Sequence, residues 1–117
     1  MAQSIDEIHS LILEAMERRK TITLEYKGES EQRYHEREFE PWCYGVHRTT
    51  GNRVLRCYQT RGHSESGMPD ELPFWRLARV DRMRSVSITD NNIRDDSPPY
   101  YNPQDKDMRS YFDSLPK

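Results

Sequence analysis

A chain of 117 residues with 33% hydrophobic and 32% charged side chains can build one modest core and has little to spare for a separate catalytic domain. Its formal net charge of -2 argues against a protein that coats nucleic acid indiscriminately, which needs a strong positive excess. Both signs are mixed and aromatics are well represented, so the chain should fold.

The elements follow in order. Ser4-Ile5-Asp6-Glu7 is a capping box that starts a helix, with Ile5, Ile8, Ile12, Ala15 and Met16 at helical spacing and Arg18, Arg19 and Lys20 at its negative end. From Thr21 the period becomes two, and Ile22, Leu24 and Tyr26 share one face of a strand. Lys27 to Glu31 supply a turn. Arg33 to Glu40 then predicts a charged edge strand that Pro41 ends or bends, with Glu36, Glu38 and Glu40 on a solvated face.

Trp42 to His47 and Arg53 to Gln59 predict a hairpin across Arg48-Thr49-Thr50-Gly51-Asn52. A polar loop from Arg61 to about Pro73 is longer than a hairpin needs and is a candidate functional loop. Phe74 to Val80 and Met83 to Ile88 complete the strands. Beyond a linker, Asn102-Pro103 fits an N-cap followed by proline, and Met108, Tyr111, Phe112 and Leu115 share a helical face. Residues 1–89 are thus expected to form a small β-barrel domain with an N-terminal helix, and residues 90–117 a linker and C-terminal docking helix of the same domain.

Between His47 and Arg84 every basic residue is Arg or His and none is Lys, which favours bidentate contacts to phosphate or carboxylate. Arg56 and Tyr58 fall on one strand face, opposite Leu55 and Cys57. An arginine beside an exposed aromatic can hold a phosphate and stack a base, as single-strand binders do; the alternative is an arginine lying along a tyrosine ring as surface cover. Trp42 and Trp75 read as core anchors, with Trp75 also able to serve as a stacking platform. In Gly62-His63-Ser64-Glu65-Ser66-Gly67, Ser64 and Ser66 could present hydroxyls to an anion beside Arg61, although the stretch is no P-loop and lacks the context of a nucleophile elbow.

His9, His35, His47 and His63 have no metal-ligand spacing, and no acid-base pair or nucleophile set can be assembled. A non-enzymatic protein without cofactor is expected. Cys43 and Cys57 lack CxxC spacing and the chain opens on no apolar leader, so reduced thiols in the cytoplasm are expected. No run reaches membrane-spanning length.

Ile22-Thr23-Leu24-Glu25-Tyr26 after the helix, Glu40-Pro41, Gly51 with Leu55 and Tyr58, and Trp75-Arg76-Leu77-Ala78-Arg79-Val80 together resemble the WYL domain, over roughly Ile5 to Ile88. Tyr44-Gly45, Leu55-Arg56-Cys57-Tyr58-Gln59 and Ser64-Glu65-Ser66-Gly67 are similar to stretches of short stand-alone bacterial members. The naming Trp-Tyr-Leu tripeptide aligns with Arg53-Val54-Leu55, and the Asp-Arg-Ile motif with Ala78-Arg79-Val80. The resemblance implies a mainly β fold, a five-stranded Sm-like, SH3-type barrel, and places Arg79 at the family's motif arginine, with a salt bridge to Glu40 or Asp81 as its competing role. Family members usually sit behind a helix-turn-helix domain and look like effector sensors, some for nucleic acid. This length leaves no room for that reader domain, so a ligand module without its own transcriptional output is expected.

The expected function is recognition of a nucleotide, single-stranded nucleic acid or other phosphate-containing ligand by Arg56, Tyr58, Arg79, Arg61, Ser64, Ser66, Tyr44 and Trp75 in one groove. The alternative is a protein-interaction module or homodimer without a small ligand.

Overall fold

The computed structural model describes residues 3–62 and 74–116. Helix α1 spans Ile5–Arg18. The capping box forms: the Ser4 hydroxyl accepts from the Glu7 amide at 3.1 Å, and the Ser4 amide donates to the Glu7 carboxylate at 3.4 Å. Ile8, Ile12, Ala15 and Met16 are buried, whereas Ile5 stays exposed. No described helix is long and apolar enough to cross a membrane.

Six strands follow: β1 (Lys20–Tyr26), β2 (His35–His47), β3 (Arg53–Gly62), β4 (Phe74–Arg79), β5 (Met83–Asn92) and β6 (Met108–Ser114), with a 3-10 turn at Val80–Arg82 between β4 and β5. Their order is β4-β3-β2-β1-β5, with β6 added to β2, and every ladder is antiparallel. The architecture is mainly β, an open sheet with one N-terminal helix; among the described residues no ladder joins β4 to β5.

Two expectations about β2 are corrected. Arg33 to Glu40 and Trp42 to His47 are not separate strands, because Pro41 lies inside one continuous strand of 13 residues. On one side of β2 the β1 ladder ends at Phe39 and the β6 ladder begins at Cys43, so the proline falls between two partners, beside a bulge in the β3 register. Its missing N–H breaks neither ladder. Nor is this strand an edge: β2 is central, and Glu38 and Glu40 are buried, each satisfied by an arginine as buried charges require.

The expected C-terminal helix is also a strand. Asn102 makes the capping bond, its side chain accepting from the Gln104 amide, but no helix follows. Residues 108–114 instead fill the side of β2 that β1 leaves open, satisfying backbone groups of both strands. Met108 and Leu115 are buried, whereas Tyr111 and Phe112 are each 43% exposed.

The main core contains Ile8, Ile12 and Met16 of α1, Ile22 and Leu24 of β1, Phe39, Trp42 and Tyr44 of β2, and Leu55 and Cys57 of β3. A smaller cluster of Cys43, Val54 and Met108, flanked by Leu77 and Tyr101, lies on the opposite face of the sheet. Both cysteines are free and buried, one in each cluster. Burial raises their thiol pKa values, that of Cys43 to about 11, which keeps both inert as nucleophiles.

Candidate anion site

Register divides the arginines of β3 and β4. Arg56 pairs with Leu77, Tyr58 with Trp75 and Val54 with Arg79, so these six share the outer face; Arg76 opposes Cys57 on the inner one. The predicted parity of Arg56 and Tyr58 therefore holds. Of the residues proposed for one groove, Arg56 and Trp75 line one cavity, Arg61 a second and Arg79 a third.

The outer face is largely covered by residues 94–107. Arg56 Nε donates to Asp105 at 2.6 Å and its Nη2 to Asp107 at 2.8 Å. Burial opposes the Asp105 charge, but the Arg56 bonds and the Asp107 amide outweigh it and hold this carboxyl below its ordinary range. Trp75 stacks on Tyr101 at 5.6 Å between centroids and donates its indole N–H to the Pro99 carbonyl. Tyr58 meets Trp75 edge-on and carries the Arg94 guanidinium over its ring at 4.6 Å. Neither aromatic is an open platform.

Arg61 donates to Glu38 at 2.6 and 2.8 Å. Burial opposes the Glu38 charge, yet Thr21, Arg61 and Asn91 together lower its pKa. Arg94 binds Glu40 at 2.9 Å. Tyr44 is fully buried, its hydroxyl 2.7 Å from His9 Nδ1, and serves the core. Ser64 and Ser66 lie outside the described residues.

The third cavity, about 200 Å3, is lined by Arg37, Arg76 and Arg79 together with Tyr26, Phe39 and Gly28. Arg37 is buried although it belongs to the charged run read as solvated. Its guanidinium lies 5.0 Å from the centre of the Tyr26 ring and pairs with Glu31, while its Nε is buried without a hydrogen-bond partner. The Tyr26 hydroxyl accepts from the Arg79 amide at 2.9 Å. Arg79 binds Asp81 at 2.7 Å, one of the two carboxylates anticipated for it, and approaches Glu29 at 3.6 Å. Glu29 completes the lining beside the three arginines, and arginines so grouped are a candidate anion site.

Arg37 was absent from the candidates read from sequence, and Arg76 was not placed in the expected groove. For Arg37 a signal existed: it alternates with Phe39, a core residue, and so shares its face. Among the described residues no three His, Cys, Asp or Glu side chains gather as metal ligands.

No curated protein matches the chain. Among solved structures it is similar to proteasome accessory factor B/C (PafBC) of Arthrobacter aurescens, with TM-score 0.60 and 23% identity over 81% of this chain. The likeness covers 13% of that protein and speaks for the fold. The WYL domain family model matches residues 7–88, from α1 through Ile88 of β5, and the chain belongs to the WYL domain family.

Proposed function

We propose that this WYL domain is a non-enzymatic, cytoplasmic ligand-binding regulatory module that recognises a phosphate-containing or nucleic-acid ligand. One arrangement carries the reading: Arg37, Arg76 and Arg79 line a single cavity beside Tyr26, where planar donors can grip phosphate oxygens bidentately. The strand order, with its 3-10 link between β4 and β5, is compatible with an Sm-like, SH3-type barrel whose end holds the ligand. The tie to transcription regulation rests on the family resemblance.

Fluorescence anisotropy with a short single-stranded oligonucleotide tests the reading. Binding at low ionic strength should weaken as salt rises and should be lost in the Arg76→Ala, Arg79→Ala double variant. Absence of binding at low salt by both the oligonucleotide and free nucleotides, or unchanged binding by the double variant, defeats it.

Self-association is a second reading, favoured by β6. Among the described residues β6 pairs only with β2, and Tyr111 and Phe112 are partly exposed. Antiparallel pairing with a second copy about Tyr111 would set Arg109 against Asp113, a self-complementary arrangement. Light scattering across concentration distinguishes a dimer from a monomer.

A further inference from the structure

The arginine cavity differs from a single-strand binding groove in lacking somewhere to put a base. Sequence-tolerant strand binders combine a basic track with aromatic faces on which bases stack. Of the rings lining this cavity, Tyr26 is covered by Arg37 and meets Phe39 edge-on at 6.3 Å, and Phe39 is buried. On the outer face, Trp75 is stacked on Tyr101 and Tyr58 is covered by Arg94. Tyr100 is almost fully exposed, but it lines another cavity, where Arg56 and Lys106 are matched by Asp105 and Asp107 and no positive excess is left for a phosphate. Among the described residues, the arginines of this cavity have no open ring beside them.

Size points the same way. At about 200 Å3 the hollow is smaller than the roughly 300–1,000 Å3 of pockets that enclose a drug-sized ligand. Its charge is suited to an anion that can displace a carboxylate. Glu31 is anchored by the Gly28 amide at 2.8 Å and pairs with buried Arg37, so it should stay in place. Glu29 is 78% exposed and only 3.6 Å from Arg79, an ion pair of little strength. An incoming phosphate can take its place.

Building on the reading above, we propose that the Arg37–Arg76–Arg79 cavity binds a phosphate group on its own, as a terminal monoester or oligophosphate, and leaves sugar and base outside. Such a group is presented by a free nucleotide or by the phosphorylated end of a strand. Backbone diesters carry one charge each and no free end, and fit the hollow less well. Glu29 is the counter-ion exchanged on binding.

Calorimetry and competition at low ionic strength test the proposal with pyrophosphate, AMP, ATP, adenosine, and one short oligonucleotide with and without a 5′-phosphate. Pyrophosphate and the nucleotides should compete for one site, adenosine and the 5′-hydroxyl strand should bind at least tenfold more weakly than their phosphorylated forms, and changing the base should have no effect. Competition by the 5′-phosphorylated strand identifies strand ends as a source; its failure beside bound nucleotides identifies free nucleotides. Arg79→Ala should abolish binding, whereas Glu29→Gln should tighten it about two- to fivefold, the value of an exposed pair. Equal binding of 5′-hydroxyl and 5′-phosphorylated strands, or dependence on the base, overturns phosphate-only recognition while leaving the broader reading intact. Failure of every anion to bind overturns both.

Discussion

Arg56 and Arg79 each hold two carboxylates, and the two neighbourhoods differ in what those carboxylates cost to remove. Asp105 is 7% exposed and meets Arg56 in a fork that ties the C-terminal segment to β3. Asp81 is 41% and Glu29 78% exposed, so the Arg79 pairs are screened and competed for by water. A buried ion pair cannot lose one partner without leaving a charge in a low-dielectric site, whereas an exposed one is readily exchanged for a ligand. The same residue type therefore acts as a fastener at Arg56 and, on the reading proposed above, as a receptor at Arg79.

The largest effect expected from this contrast is on stability. Asp105→Ala should cost about 3 kcal/mol, the lower end for a broken buried pair, because Arg56 is itself partly exposed; urea denaturation at neutral pH measures it. A loss below about 1 kcal/mol would erase the distinction between the two arginines. The acid limb sharpens the same point. The Asp105 pKa is depressed in the folded chain, so its contribution is complete above the ordinary aspartate value near 4 and is lost as pH falls below it. Asp105→Asn should accordingly show a shallower fall in urea midpoint between pH 5 and pH 3 than the parent.

At the small end, Arg79→Ala should change stability by less than about 1 kcal/mol while removing phosphate binding. Thermal unfolding and titration on the same sample would show both. A large stability loss there would mean that Arg79, too, is a fastener.

Local pattern made much of the fold legible. The capping box, the apolar face of α1 and the alternation of β1 depend on neighbours within a turn or two, and they appear as read except that Ile5 is exposed and Thr21 buried. Features decided by distant partners did not. Met108, Tyr111, Phe112 and Leu115 fit a helical face, and only the vacancy beside Cys43 to His47 of β2 makes the first three part of a strand. Glu38 and Glu40 looked solvated because Arg61, Asn91 and Arg94, which neutralise them or bond to them, lie more than twenty residues away.

The candidate site follows the same division. Parity in β3 placed Arg56 and Tyr58 together, yet it carried no sign that Asp105 and Arg94 would occupy them. Arg79 became a candidate through its motif position. Arg37 escaped because a charged run outweighed its alternation with Phe39.

Strand β2 binds β3 along one side and, on the other, is shared between β1 in its first half and β6 in its second. The two halves thus differ in how much chain separates them from their partners. His35 to Phe39 can pair with β1 as soon as both have emerged, but Cys43 to His47 must wait for a segment more than sixty residues downstream, and closing so long a loop is slow. Until then that stretch of sheet presents a bare, partly apolar rim.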